Sequence, residues 1–166
     1  MRDPAEQVRL YGPRGAVIDT NLLLLYFLGS FQLDQIRSNK RLARFDESDF
    51  GLLARLLARF KKVVTTPNIL TEVSNLSDAI PENLREPYFG EFKRCLSVLV
   101  EEYIPSSAAL GSRWSRFGLT DAVIATISRE RYLVITEDFR LSQALASDGI
   151  DALNFNHLRY ISWTWR

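Results

Sequence analysis

The stretch Gly15-Ala16-Val17-Ile18-Asp19-Thr20-Asn21, followed by the leucine-rich run 22–28, decides the fold class. Three apolar residues after a glycine, ended by an acid, read as a short strand buried on both faces. The run 22–28 reads as a helix that stops near Gly29. The same alternation recurs along the chain. Asp46 fits an N-cap with Asp49 in the first turn, ahead of Leu52, Leu53, Leu56, Leu57 and Phe60 at helical spacing. Lys62-Val63-Val64-Thr65-Thr66 is β-branched and reads as a second strand. Pro67 suits the first turn of a helix over 68–76. Phe89, Phe92, Leu96 and Leu99 mark another helix, leading to a weak strand near Tyr103-Ile104. Thr120 is placed as the N-cap of a helix over 121–130, with Val123, Ile124 and Ile127 facing inward. Residues 132–136 read as a buried strand, 139–146 as a helix stopped near Gly149, and 150–155 as a last strand.

Short apolar strands alternating with amphipathic helices predict an α/β domain with a mostly parallel central sheet. Ligand sites in such sheets lie at the carboxyl ends of the strands. No internal repeat or low-complexity linker divides the chain, so a single domain over 1–166 is expected. Residues 1–14, polar and carrying Pro4, Gly12 and Pro13, read as a lead-in, 15–155 as the core, and 156–166 as a C-terminal segment. In that segment Ile161-Ser162-Trp163-Thr164-Trp165 alternates apolar and polar residues. It reads as cover for the core, or as an edge strand or docking tail.

Composition sets the outer limits. A chain of 166 residues with 46% hydrophobic and 25% charged residues suits one soluble domain and excludes a disordered or collagen-like chain. The single cysteine, Cys95, forms no internal disulfide, points to a reducing compartment and falls on the apolar side of a helix. The run 22–28 is the longest apolar one, far short of the ~20 residues that cross a bilayer. It follows Asp19 and Asn21, the wrong flank for a signal peptide, so a cytoplasmic location is expected. The net charge of +1 excludes a polybasic nucleic-acid binder but not a local basic face.

Four acids stand at positions with a structural logic. Asp19 ends the first strand, and Asp138 lies two residues past the strand 132–136, so both project near one carboxyl edge. Asp121 opens a helix, where an acid can simply complement the helix dipole. Glu72 sits in the helix after the second strand, where a solvated role is the plain alternative. Asp19 resists such an explanation, because core residues flank it on both sides and a buried carboxylate needs partners or a metal. Two carboxylates about 4 Å apart repel by roughly 4 kcal/mol at an effective dielectric near 20. Convergence of all four therefore calls for neutralising arginines, lysines, protons or cations. Oxygen-only ligands suit Mg²⁺ or Mn²⁺, and a pair of such ions can activate water for phosphodiester cleavage.

Competing chemistries fit less well. The one histidine, His157, and the one cysteine cannot build a zinc site of the usual kinds. No Gly-x-Ser-x-Gly elbow and no glycine-rich phosphate loop occurs. A receiver domain needs a lysine after a later strand, and the last lysine is Lys93. A haloacid-dehalogenase-like phosphatase needs a second Asp at position 21, which is Asn.

Four blocks, in order, resemble the PIN-domain ribonuclease family: Val17-Ile18-Asp19-Thr20-Asn21, Thr66-Pro67-Asn68-Ile69-Leu70-Thr71-Glu72, Leu119-Thr120-Asp121-Ala122-Val123-Ile124-Ala125, and Leu133-Val134-Ile135-Thr136-Glu137-Asp138-Phe139. Each alone is weak, whereas together they cover about residues 15–155. The resemblance implies a three-layer α/β/α sandwich and an Mg²⁺- or Mn²⁺-dependent endoribonuclease, a hydrolase that uses metal-activated water and leaves a 5′-phosphate and a 3′-hydroxyl. Asp19, Glu72, Asp121 and Asp138 would be the catalytic and metal-holding acids, with Asn21 and Thr136 in support. It also implies RNA as partner, a toxin–antitoxin context with an antitoxin protein, and a homodimer. Stretches 31–60 and 80–115 are longer than in compact toxin-like members. Lys40, Arg41, Arg44, Arg113 and Arg116 are the candidate RNA-backbone contacts, and Trp114 and Phe117 the candidate stacking residues, with a core or interface role the favoured alternative for Trp114. The Arg59-Lys61-Lys62 run reads as a solvated face. The reading from another class is a PIN-like module that binds RNA or protein without cutting.

Overall fold

The computed structural model describes residues 3–110 and 117–164, with side chains described as far as residue 160. Its elements in chain order are α1 (Pro4–Tyr11), β1 (Ala16–Ile18), α2 (Thr20–Phe31), α3 (Asp34–Ser38), a 3₁₀ turn (Lys40–Leu42), α4 (Glu47–Leu57), β2 (Val63–Thr65), α5 (Pro67–Leu76), α6 (Glu82–Leu96), β3 (Val100–Glu101), α7 (Ser106–Ala109), α8 (Leu119–Ser128), β4 (Leu133–Thr136), α9 (Phe139–Ser147), β5 (Ala152–Asn154) and α10 (Phe155–Thr164). The five strands form one all-parallel sheet in the order β3-β2-β1-β4-β5, flanked by helices as a three-layer α/β/α sandwich. β1 and β4 lie at its centre, with Ala16 opposite Leu133 and Ile18 opposite Ile135, and every residue of both is buried. This is why the central strands read as continuous apolar runs rather than alternating ones.

The strand order places a crevice at one edge of the sheet. From β1 the chain runs outward to β2 and β3, then returns to the other side of β1 for β4 and β5. The direction of winding therefore reverses between β1 and β4, where open α/β sheets form a crevice at the carboxyl ends of their strands. The two helices that diverge from that crevice are α2 and α9, and their N-caps are Asp19 and Asp138. Among the described residues, no helix is long and apolar enough to cross a membrane.

Several local expectations need correction. The lead-in contains α1, capped by Asp3 with Pro4 in its first turn, and it buries Gln7 and Tyr11. Asp-Pro was its readable signal. The third strand is Val100–Glu101, not Tyr103-Ile104, and Tyr103 is largely exposed. α8 begins at Leu119 behind Gly118, so Thr120 lies inside the helix and its hydroxyl is used elsewhere. The C-terminal stretch is no edge strand, because its backbone is helical from Phe155 to Thr164. Cys95 is buried, as its helical position indicates.

Gly29 does not stop α2, which continues to Phe31. It lets α4 approach instead: a Cβ there would lie 2.3 Å from Phe50 Cδ2 and 2.6 Å from Cγ. Alanine is the better helix former by about 1 kcal/mol, but overpacking at such a contact costs about 1–3 kcal/mol. Gly29→Ala is therefore expected to lower stability by up to about 2 kcal/mol in urea unfolding. An unchanged or raised midpoint would show that the Phe50 ring yields freely.

Candidate active site

Four elements deliver one acid each to the carboxyl edge. Asp19 follows β1, Glu72 stands in α5 behind β2, Asp121 lies in the first turn of α8, and Asp138 follows β4. All four line a single cavity of about 210 Å³, together with Thr20, Asn21, Arg41, Phe117, Gly118, Leu119, Thr120 and Leu141. Asp19 is buried, Asp121 half-buried, and Glu72 and Asp138 are exposed. Among the described residues, no arginine, lysine or histidine forms an ion pair with any of them.

Each acid is held differently. Asp19 Oδ1 accepts from the backbone N–H of Thr20 at 2.6 Å, and Oδ2 accepts from the Thr136 hydroxyl at 2.6 Å. Thr136 Oγ1 in turn accepts from the backbone N–H of Asp138 at 3.0 Å, so one hydroxyl ties the ends of β1 and β4 together. Asp138 Oδ1 caps α9 through the N–H groups of Arg140 (2.7 Å) and Leu141 (3.1 Å). Glu72 Oε2 accepts from Thr20 Oγ1 at 2.9 Å, and its Oε1 accepts from the Thr120 hydroxyl. Asp121 has no hydrogen-bond partner among the described residues.

The electrostatics follow from this arrangement. Burial raises the Asp19 carboxyl to about 6, against the lowering effect of the Thr136 and Thr20 hydrogen bonds, and Glu137 and Asp138 add repulsion. Burial also raises Asp121 to about 7, with further repulsion from Asp19, Asp138 and Glu72. Both shifts are led by burial, and repulsion among the neighbouring acids adds to them with no cation paired against it among the described residues.

The donor set fits a hard divalent cation in chemistry. It is oxygen-only, and among the described residues its negative charge is not paired with a cation and Asp121 has no hydrogen-bond partner of its own. In arrangement the acids line the cavity without closing on one point. Among the described residues, no three His, Cys, Asp or Glu side chains form a ready-made metal site.

Of the other residues expected from the sequence, Asn21 and Thr136 stand in the site. Arg41 lines the cavity, Arg44 pairs with Glu137, and Lys40 is exposed outside the cavity lining. Phe117 lines the cavity, whereas Arg113, Trp114 and Arg116 lie outside the described residues. Sequence reading missed Thr20, Thr120 and above all Glu137, which is 3% exposed and bonded by Asn21 Nδ2 at 2.8 Å. The signal was present, since Glu137 follows four buried strand residues and a buried carboxylate demands partners. No protein-family model, curated protein or solved structure gives a significant match to this chain.

Thr136→Val keeps the shape of the Thr136 side chain and removes both of its hydrogen bonds. It leaves a buried carboxylate oxygen one donor short, which costs about 1–3 kcal/mol. The expected result is lower stability by that amount and a further rise of the Asp19 carboxyl, read by carboxyl-selective NMR titration. An unmoved titration would mean that Thr136 does not hold Asp19.

Proposed function

We propose that the chain is a metal-dependent endoribonuclease of the PIN-domain type, cutting RNA phosphodiester bonds in the cavity between the ends of β1 and β4. The observation that carries the reading is four carboxylates from four separate elements lining one cavity with no cation paired to them among the described residues. Folds do not hold such repulsion without use, because the same positions filled by neutral residues would be more stable. Asp19, Glu72, Asp121 and Asp138 would hold one or two Mg²⁺ or Mn²⁺ ions. When bound there, the metal supplies Lewis-acid stabilisation of the phosphoryl oxygens and a lowered pKa for water.

The chain's own residues account for the rest. Thr136 fixes Asp19 against β4, while Thr20 and Thr120 fix both oxygens of Glu72, so these two acids are oriented before substrate arrives. Asp121, without a hydrogen-bond partner among the described residues and with its carboxyl raised by burial to about 7, must shed its proton for the cation to enter, so uptake releases protons and strengthens toward alkaline pH. Water adds across the P–O3′ bond, its oxygen going to phosphorus and a proton to the 3′ oxygen, which leaves a 5′-phosphate and a 3′-hydroxyl.

The test is cleavage of single-stranded RNA by the purified protein in Mn²⁺, with Asp19→Asn beside it. The expected result is cutting that EDTA stops, that excess Mn²⁺ restores and that the variant lacks. Cutting by the variant at the parent rate, or cutting indifferent to chelator, refutes the centre. RNA binding without metal-dependent turnover would leave the non-cleaving scaffold.

A further inference from the structure

We propose that Arg41 is a phosphate-binding arm at the cavity and that the buried Glu137 aims it through Asn21. The inference rests on the nuclease reading for its ligand, the backbone of a single-stranded RNA, and adds to that reading how the anionic substrate is gripped beside four acids. Among the described residues, Arg41 is the cation that lines the cavity. A free guanidinium among carboxylates would fall onto them, since one such contact at 4 Å is worth roughly 4 kcal/mol at an effective dielectric near 20. Arg41 forms no ion pair with any of the four. Its Nε donates instead to the neutral carbonyl Oδ1 of Asn21, at 3.1 Å. That bond uses one of five N–H donors and leaves the terminal Nη fork, the edge that grips phosphate with two parallel hydrogen bonds. Because the anchor is an amide, the full positive charge of Arg41 is left for the ligand.

Asn21 can serve as anchor in only one orientation, and Glu137 dictates it. A carboxylate only accepts and a guanidinium only donates. An amide between them must turn its NH₂ to Glu137 and its carbonyl to Arg41, as found. Glu137 is held by burial and by its ion pair with Arg44 at the rim. The chain of contacts Arg44–Glu137–Asn21–Arg41 thus converts a buried charge at the end of β4 into the placement of an exposed cation, with Glu137 and Asn21 acting as positioning residues.

The experiment measures binding of a short fluorescein-labelled single-stranded RNA by anisotropy, in Ca²⁺ buffer without Mn²⁺ and at increasing NaCl. Arg41→Ala is expected to weaken binding roughly tenfold or more and to flatten the salt dependence by about 0.7 in log–log slope, one phosphate contact on a single strand. Glu137→Gln, which can offer Asn21 an NH₂ and so reverse its amide, and Asn21→Ala are expected to show the same two losses without touching Arg41. Either change combined with Arg41→Ala should add nothing further. Arg41→Lys, with charge but no fork, should recover the slope more fully than the affinity. Asn21→Ala leaves the Glu137–Arg44 pair intact, so the test stands even if Glu137→Gln does not fold. An unchanged slope in Arg41→Ala, additive losses in the double variants, or no RNA binding by the parent overturns the proposal. RNA binding with these dependences but no metal-dependent cleavage would refute the nuclease reading and support the Arg41 arm. Cleavage with an unaltered Arg41→Ala slope would do the reverse.

Discussion

Asp121→Asn is expected to stabilise the metal-free protein above neutral pH while lowering metal-dependent cleavage by roughly 10²–10³-fold, the scale on which single preorganised electrostatic groups act. The sign follows from the raised carboxyl. Asp121 ionises near 7 in the folded chain and at about 3.8 in the unfolded one. The folded state therefore binds more protons between those values. The stability contributed by the neutral form is complete below the lower value and is lost as pH rises through the upper one. Asn keeps the neutral form at every pH, so the gain over the parent grows from about pH 4, is largest above pH 7 and then levels off. Allowing for solvent screening at a half-buried side chain, the gain is on the order of 2 kcal/mol, or about 4–8 °C in Tm for a chain of this size. Mn²⁺ should raise the Tm of the parent, by about 2.7 kcal/mol of stability at a hundred times its Kd, and leave the variant nearly unmoved. Thermal melts at pH 5 and pH 8, each with EDTA and with Mn²⁺, read all four values. A variant less stable than the parent at pH 8 in EDTA would show that the folded chain does not carry the Asp121 charge at a cost. An equal Mn²⁺ shift in both proteins would remove Asp121 from any metal site.

Asp19 shows why this edge was legible in the sequence. Its place between Ala16-Val17-Ile18 and the leucine run announces burial, and a buried carboxylate needs partners or a cation. Asp138 was placed by counting past the strand 132–136, and the parallel pairing of β1 with β4 then brings both to one edge. The sheet itself was readable because its central strands are apolar on both faces, which no exposed segment reproduces. Glu72 and Asp121 carried weaker signals. Each alone fits a solvated or dipole-complementing acid, and only the order of the four blocks singled them out.

What was hidden is mostly what one residue does to another across the fold. Thr120 reads as an N-cap because Ser and Thr hydroxyls favour that role. In the fold the Glu72 carboxylate captures the hydroxyl, a partner 48 positions away in sequence, and α8 starts two residues earlier, at Leu119. Gly29 reads as a stop, yet glycine also serves close helix approach, and only the position of Phe50 in α4 decides between the two. β3 has just two residues and neither is buried, so the apolar pattern that marks the other strands is missing there. The stretch 31–60 looked like an insertion of open purpose. It supplies both Arg41 and Arg44, which reach the end of β4 through Asn21 and Glu137.

Arg159→Met is expected to lower stability by more than either Gly29→Ala or Thr136→Val. Arg159 in α10 grips Asp49 in the first turn of α4 with two hydrogen bonds, Nε to Oδ1 at 2.7 Å and Nη2 to Oδ2 at 2.8 Å. The same guanidinium donates to the Arg44 carbonyl at 2.8 Å. Asp49 is 2% exposed and also accepts from the Asp46 N–H in the capping box that starts α4. Removing the arginine strands a buried carboxylate, which costs about 3–5 kcal/mol, and this exceeds what the pair adds over a well-packed apolar substitute. A fall of about 6–20 °C in Tm is the matching thermal signature. Methionine keeps the length of the stem over the Phe45 ring, where the guanidinium now sits at 5.1 Å, so lost packing contributes little. The control is the pair Asp49→Asn with Arg159→Met. It removes the stranded charge and should recover more than half of the loss, although each single change is harmful. Additive losses in urea unfolding would show that the two side chains act independently. α10 would then be held to the body of the protein through its other contacts, among them Asn156 Nδ2 donating to the Glu137 carbonyl at 2.9 Å and Arg159 Nη2 donating to the Arg44 carbonyl at 2.8 Å.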